Sequence, residues 1–293
     1  MSKIRKLSLQ NAAGERFLFD GTDGVFASNL AGFGFSLDPE FADLSRGFFK
    51  NIESENEPQK QIPFTLTFTR NAYQVYRRFV DWLGSAGSLK LVYQPFGELE
   101  FFRDVTIGYV QKGELSIVRW LEVPCSVICL TPWYLPSPSV LALENGGSGS
   151  MKRYPYRYSE DLRYGSDSMA ALSGTIFPSG HIPGAVDISY SGGIVNPRIR
   201  LTGNVSGRTY GVCKVSASFE PTDTLRYSSR HERSYVSKIT AAGAETDLLD
   251  MLELSAEPFF HIPVDEPCTL SIEADSTISG KATVQVYYYF RSV

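Results

Sequence analysis

A chain of 293 residues with 43% hydrophobic and 20% charged residues has the composition of a globular protein, and wholesale disorder is excluded. Its formal net charge of -4 and pI near 5.5 provide no basic field, which argues against non-specific nucleic-acid binding. No stretch approaches the roughly 20 apolar residues of a membrane span, and the opening MSKIRKLSLQNAAGERF has no apolar signal core, so synthesis in the cytoplasm is expected.

The length allows two ordinary domains or one large β-domain. Along the first half the dominant period is two. In IPFTLTFT, Ile62, Phe64, Leu66 and Phe68 face one way and Pro63, Thr65, Thr67 and Thr69 the other, the pattern of a half-buried strand. SLKLVYQ repeats it with Leu89, Leu91 and Tyr93, RDVTIGYV with Val105, Ile107 and Tyr109, and a long run from Leu115 to Leu130 follows. Between these strands NAYQVYRRFVDWLG reads as one amphipathic helix. Asn71 is its expected N-cap with Gln74 three residues on, Gly84 its stop, and Ala72, Val75, Tyr76, Phe79, Val80 and Leu83 its apolar stripe.

Residues 34 to 61, GFSLDPEFADLSRGFFKNIESENEPQKQ, are long for a surface loop and mix charge with aromatics. Two readings fit them, an extended hairpin arm and a self-packed Ω-loop; the arm, which is preferred, has Phe33, Phe35, Phe48 and Phe49 buried against something other than their own domain. The stretch LTPWYLPSPS (130–139) ends this half. Trp133 and Tyr134 are expected to close its last strand, and prolines such as Pro136 to stop the sheet.

The expected division is therefore 1–134, an α+β domain with one helix; 135–175, a Gly/Ser/Tyr-rich linker or insertion; and 176–293, an all-β sandwich or jelly roll. In the last part AVDISY, NPRIRLTG, YGVCKV, LRYSS, SYVSKI, PFFHIPV, PCTLSIEA and ATVQVYYYFRSV read as strands, while TDLLDMLELS is ambiguous.

Little in the sequence carries chemistry. Cys125 and Cys129 share a strand face about 13 Å apart, too far for a disulfide or a common metal, and all four cysteines read as small buried hydrophobes. His181, His231 and His261 are not at metal spacing, and no HExxH, CxxC or GxSxG is present. GGSGS lacks the context of a phosphate loop, and Glu53, Glu55 and Glu57 read as one solvated face rather than a glycosidase pair. No catalytic residue, cofactor or metal is expected.

The whole layout resembles the siphophage distal tail protein family. In the first half the resemblance rests on FDGTDGVFASNLAGFGFSL, QIPFTLTF, NAYQVYRRFVDWL, SLKLVYQPFGELEFFRDVTIGYVQKGE and LEVPCSVICLTPWY. In the second it rests on VDISYSGGIVNPRIRLTG, on SYVSKITAAGAETDLLDMLELSAEPFFHIPVDEPCTLSIEA and on the terminal VQVYYYFR. The resemblance implies a structural virion protein of the tail tip or baseplate, assembled in the host cytoplasm. Its N-terminal belt domain forms a ring, usually a hexamer, with a hairpin arm reaching the neighbouring subunit. Its C-terminal domain is galectin-like. The implied partners are further copies of itself, the tail tube protein, the hub or tail-associated fibre protein, and receptor-binding proteins. Two other readings stand beside this one. A host-glycan adhesin would use Tyr154, Tyr156, Tyr158 and Tyr164, and a contractile tail-like particle could use a similar baseplate component. A cell-wall hydrolase is disfavoured because no carboxylate pair, metal set or nucleophile–base pair has context.

Overall fold

The computed structural model describes residues 5–34, 38–44, 47–56, 60–95, 99–137, 141–145, 171–230, 232–253, 257–275, 278 and 280–293; the side chains of 38–56 and 144–145 are not described. The chain divides into two compact units, Met1–Leu135 together with Phe290–Val293, and Pro136–Tyr289.

The first unit contains β1 (Lys6–Gln10), β2 (Arg16–Leu18), β3 (Val25–Ser28), β4 (Asp38–Leu44), β5 (Gly47–Asn56), β6 (Gln61–Phe68), α1 (Ala72–Ser85), β7 (Leu89–Gln94), β8 (Phe101–Val110), β9 (Leu121–Cys129) and β10 (Trp133–Pro136). Antiparallel pairing gives the order β2-β1-β7-β8-β9-β6-β3, with β10 added to β8 at Tyr134 and Phe102. The two ends of that sheet meet. Phe19 donates its N–H to the Leu7 carbonyl, Ala27 donates to the Phe19 carbonyl, and Asp20 bridges Phe26. The sheet thus closes on itself and leaves few unpaired edge groups. The alternation expected in β6 is present: Ile62, Phe64, Leu66 and Phe68 are all buried. Gly108 marks a bulge in β8, where a Cβ would come within 2.5 Å of Ser126 Oγ.

Helix α1 differs from its sequence reading in detail. Asn71 makes no side-chain cap. It adopts a left-handed backbone (φ 46°), which Asn tolerates better than most residues, and its carbonyl accepts from the amides of Gln74 and Val75. The buried stripe is narrower than expected: Ala72 and Phe79 are buried and Val80 is exposed. Phe79 enters an aromatic cluster with Phe17 (4.9 Å), Phe19 (6.1 Å) and Phe68 (6.2 Å), tilted or edge-on as ring quadrupoles favour. The run from Leu115 to Leu130 is not one strand. Its first six residues turn, and β9 begins at Leu121.

The second unit contains β11 (Leu141–Asn145), β12 (Leu172–Ile176), β13 (Ile182–Ser191), β14 (Ile194–Val195), β15 (Arg198–Gly203), β16 (Thr209–Lys214), β17 (Ser218–Phe219), β18 (Thr224–Arg230), β19 (Arg233–Ile239), β20 (Glu245–Asp247), β21 (Cys268–Glu273) and β22 (Lys281–Phe290), whose last residue belongs to the first unit. One sheet runs β11-β22-β13-β18-β19-β20 and the other β11-β12-β21-β15-β16. Strand β11 serves both: Leu141–Leu143 pair with β22, then Glu144 and Asn145 with β12. Inward residues from both sheets, among them Val186, Ile188, Val284, Ile199, Leu270 and Ile272, form one core, so the unit is a β-sandwich.

The mainly-β expectation is borne out, with α1 the one α-helix among the described residues. Strand β11 and all but the last residue of β12 fall inside the stretch 135–175 read as linker, whose central residues 146–170 lie outside the described ones. PFFHIPV is not a strand. Pro258 and Pro263 flank it and cannot donate to a ladder, and it makes only the isolated bridge between Ile262 and Gly184. TDLLDMLELS resolves into the end of β20 and a short 3₁₀ turn, Leu249–Met251.

Candidate functional site

Among the described residues no group of three or more His, Cys, Asp or Glu could hold a metal ion. The cysteines are all free and buried, and burial pushes the thiols of Cys125 and Cys213 up to about 12 and that of Cys268 to about 11. Thiols held so far above neutrality are not nucleophiles. His231 lies outside the described residues, and burial lowers the pKa of His261. The glycan-stacking tyrosines of the adhesin reading, Tyr154, Tyr156, Tyr158 and Tyr164, lie outside the described residues as well.

The best-built polar cluster is structural. Glu266, buried in the second unit, accepts hydrogen bonds from the amides of Val205 and Ser206 (both 2.9 Å) and from the hydroxyls of Ser206 and Tyr210 (both 2.5 Å). These donors hold its carboxyl down at about 2, with the Ser206 and Tyr210 side chains the largest causes. The carboxylate fixes the tip of the β15–β16 hairpin, and Gly203 leaves it room, since a Cβ there would come within 2.2 Å of Glu266 Oε1. Because the folded pKa lies below the ordinary value of 4.5, the stability this carboxylate contributes is present above pH 4.5. It declines as pH falls from there towards 2. Thermal melts across that window should show a slope for the second unit, and Glu266→Gln should flatten it. A slope unchanged in Glu266→Gln would remove Glu266 as its cause.

What remains are surfaces. Where the arm is expected the structure has a hairpin: β4 and β5 pair antiparallel from Asp38 with Asn56 to Leu44 with Gly47, in a two-stranded sheet separate from the closed one. Phe48 lies opposite Asp43 and Phe49 opposite Ala42 in that register, while Phe35 lies outside the described residues. At the arm's root the Lys60 ammonium donates to the Gly34 carbonyl at 2.6 Å. Phe33, expected among the arm's aromatics, packs within its own unit instead. Its half-buried ring lies 4.8 Å from Tyr93 and is stacked 5.6 Å from Trp133. Trp133 and Tyr134 are buried, and the Arg103 guanidinium lies over the Trp133 ring at 5.6 Å while its Nε donates to the Thr131 carbonyl. The two units divide between Leu135 and Pro136.

A second surface was hidden in the run from Leu115. Between β8 and β9, Arg119 donates its N–H to the Ser116 carbonyl, Ser116 donates to the Trp120 carbonyl, and the Trp120 amide donates to Ser116 Oγ. Arg119 is left-handed (φ 62°), and Leu115 bridges Leu121. This closed turn leaves Ile117 wholly exposed, with Val118 at 63% and Trp120 at 46%. Gly113 and the polar Glu114, Ser116 and Arg119 were the signal that a turn interrupts the apolar run. Charge is also unevenly divided. The first unit has fifteen basic and fifteen acidic residues, so the net -4 resides on the second, with 13 and 17.

Fold and site together define a two-unit, mainly-β protein with a two-stranded hairpin separate from its larger sheets and an exposed apolar turn between β8 and β9. Residues 6–129 match the family described as "Distal tail protein, N-terminal domain". Among solved structures, a chain of the phage P2 baseplate in its activated conformation with Ca is similar at TM-score 0.64 and 16% identity, covering 99% of this chain and 100% of that one. The same baseplate with Sr gives a TM-score of 0.63 at 16% identity and the same coverage. The crystal structure of phage SPP1 Dit, a "Paradigm of Hub Adsorption Apparatus in Gram-positive Infecting Phages", gives 0.58 at 12% identity, covering 96% of this chain and 98% of that one. No curated protein matches the chain. The resemblance to phage distal tail proteins is borne out: residues 6–129 match the model of that family's N-terminal domain, and the whole chain has the fold of the phage baseplate and Dit chains.

Proposed function

We propose that the protein is a structural ring component of a phage tail tip, closing, as six copies, at the distal end of the tail tube. The arm carries this reading. A two-stranded hairpin outside the main sheet is marginal alone in water, and it gains stability by packing against another surface. When every subunit offers its arm to the next, the contact is heterologous and cyclic, and it closes into a ring if the rotation permits. A first unit of balanced charge with apolar side chains turned outward fits close association, whereas the net-acidic second unit fits a solvent-facing role.

In this reading the ring joins the tube protein on one side to the hub or fibre protein on the other. The second unit offers a platform for receptor-binding proteins, and the mature protein resides in the virion after assembly in the host cytoplasm. Its role is scaffolding rather than catalysis. Native mass spectrometry with negative-stain imaging of the purified protein tests the central step. The expected result is a closed ring of six copies, formed alone or on addition of tube protein; a monomer under both conditions would overturn it.

A further inference from the structure

The sheet β12-β21-β15-β16 turns one face to the core of its sandwich and the other away from it. Side chains alternate along a strand, so with Leu270, Ile272, Ile199 and Leu201 in the core, Thr269, Ser271, Glu273, Arg198, Arg200 and Thr202 point outward. All six are half-buried. Pairing sets Ser173, Ser271 and Arg200 in one row across three strands, and Glu273 beside Arg198 in the next. Strands β21 and β15 thus place no apolar side chain on this face. Its charges are unevenly matched. Glu273 Oε2 stands 3.7 Å from Arg198 Nη1 and 3.6 Å from Arg200 Nη2, too far for hydrogen bonds. One carboxylate therefore serves two guanidiniums, and Arg200 Nε has no acceptor among the described residues. The adjoining charges are engaged elsewhere: Lys214 pairs with Glu253, and Asp275 accepts from the Asn196 side-chain amide. The hydroxyls of Ser173, Ser271 and Thr202 make no hydrogen bond among the described residues.

We propose that this face binds an anionic glycan, a hydroxyl-rich chain carrying carboxylate, sulfate or phosphate groups. Arg198 and Arg200 lie about 7 Å apart along one strand face, close enough for both guanidiniums to grip a single anionic group in the forked geometry that suits oxyanions. That group supplies the acceptors that Glu273 leaves at ion-pair distance. The Ser and Thr hydroxyls, each both donor and acceptor, match the sugar hydroxyls around it, with Glu273 as a further acceptor. Charge and composition together select this occupant. The surplus cation sits on a unit of net charge -4, so the positive spot is a local feature rather than part of a general field. A protein partner would draw on an apolar or aromatic centre, which the two middle strands lack. The site is independent of the ring and adds a direct binding activity to the scaffold.

Isothermal titration of the full-length protein with carboxylated, sulfated and phosphodiester-linked oligosaccharides, each beside its neutral counterpart, tests the assignment. At least one anionic class should bind at physiological salt while its neutral counterpart does not, and affinity should fall as salt is raised. Arg198→Ala and Arg200→Ala should each weaken binding about tenfold or more, the loss expected when a charge-assisted contact is removed. Arg200→Lys, which keeps the charge and loses the fork, should fall between. Arg226→Ala, which removes an exposed arginine from the other sheet, should leave binding unchanged. Hydrogen exchange on the unaltered protein gives a second readout: the ligand should slow the amides of β15 and β21 and spare those of β18 and β19. No binding by any anionic class, or binding indifferent to both arginine changes, would overturn the site. So would slowed exchange confined to other strands. Inorganic phosphate binding as tightly as the oligosaccharides would reduce the face to an anion contact only, and polyglutamate binding as tightly would assign it to an acidic protein segment. Either result sinks the glycan.

Discussion

Replacing residues 38–56 with a short Gly–Ser turn is expected to abolish the proposed ring while the protomer keeps its fold. The arm forms a sheet of its own, and the strands that flank it, β3 and β6, pair with each other through Val25–Ser28 and Phe68–Thr65 without its help. Its two roots are already close, held by the Lys60–Gly34 hydrogen bond, so a few residues span the gap and closing a shorter loop carries little entropic penalty. Circular dichroism and melting should therefore stay near those of the parent, while native mass spectrometry should report single copies. A ring that still closes without the arm would transfer the inter-subunit role to another surface, with the turn at Leu115–Trp120 the next to be tested.

Trp133→Ala should be the most damaging single substitution in the first unit. The indole is wholly buried, with Phe33 stacked on it, Tyr93 at 6.0 Å and the Arg103 guanidinium over its ring. Truncating a buried Trp costs about 3–5 kcal/mol, against a domain stability of about 5–15 kcal/mol. The change also leaves the buried Arg103 beside a cavity, adding to the loss. Denaturant melts should show the first unit's midpoint falling sharply, with Trp133→Phe losing much less because a ring still meets Phe33 and Arg103. Equal stability of the two variants would mean that the indole is not the keystone of this corner.

The features legible from sequence were those decided locally. Alternation in β6 specified which residues face the core, because a strand buried on one face must obey a period of two. The position of α1, the burial of the four cysteines and the hairpin in the arm were equally readable. Features that depend on distant partners were not. Nothing in LALEN shows that Leu141 pairs with Val284, and nothing in the terminal VYYYFRSV shows that Phe290 leaves its own sandwich for a core built around Leu91. The candidate surfaces divide in the same way. Length and composition pointed to the hairpin, whereas Phe33 reads as one of its aromatics only until Trp133 and Tyr93 are seen beside it. The exposed turn was masked because Ile117, Val118 and Trp120 are residues that also fill strands.

The placement of Phe290–Val293 also bears on how the protein is made. A ribosome releases the first unit's strands long before the residues that finish its core, and the entire sandwich must be translated in between. The nascent first unit therefore waits with Phe101 lacking its partner ring, and it gains the packing of Phe290 and Val293 only after the sandwich has been translated. A chain whose synthesis stops within the sandwich thus presents a first unit whose core lacks Phe290 and Val293.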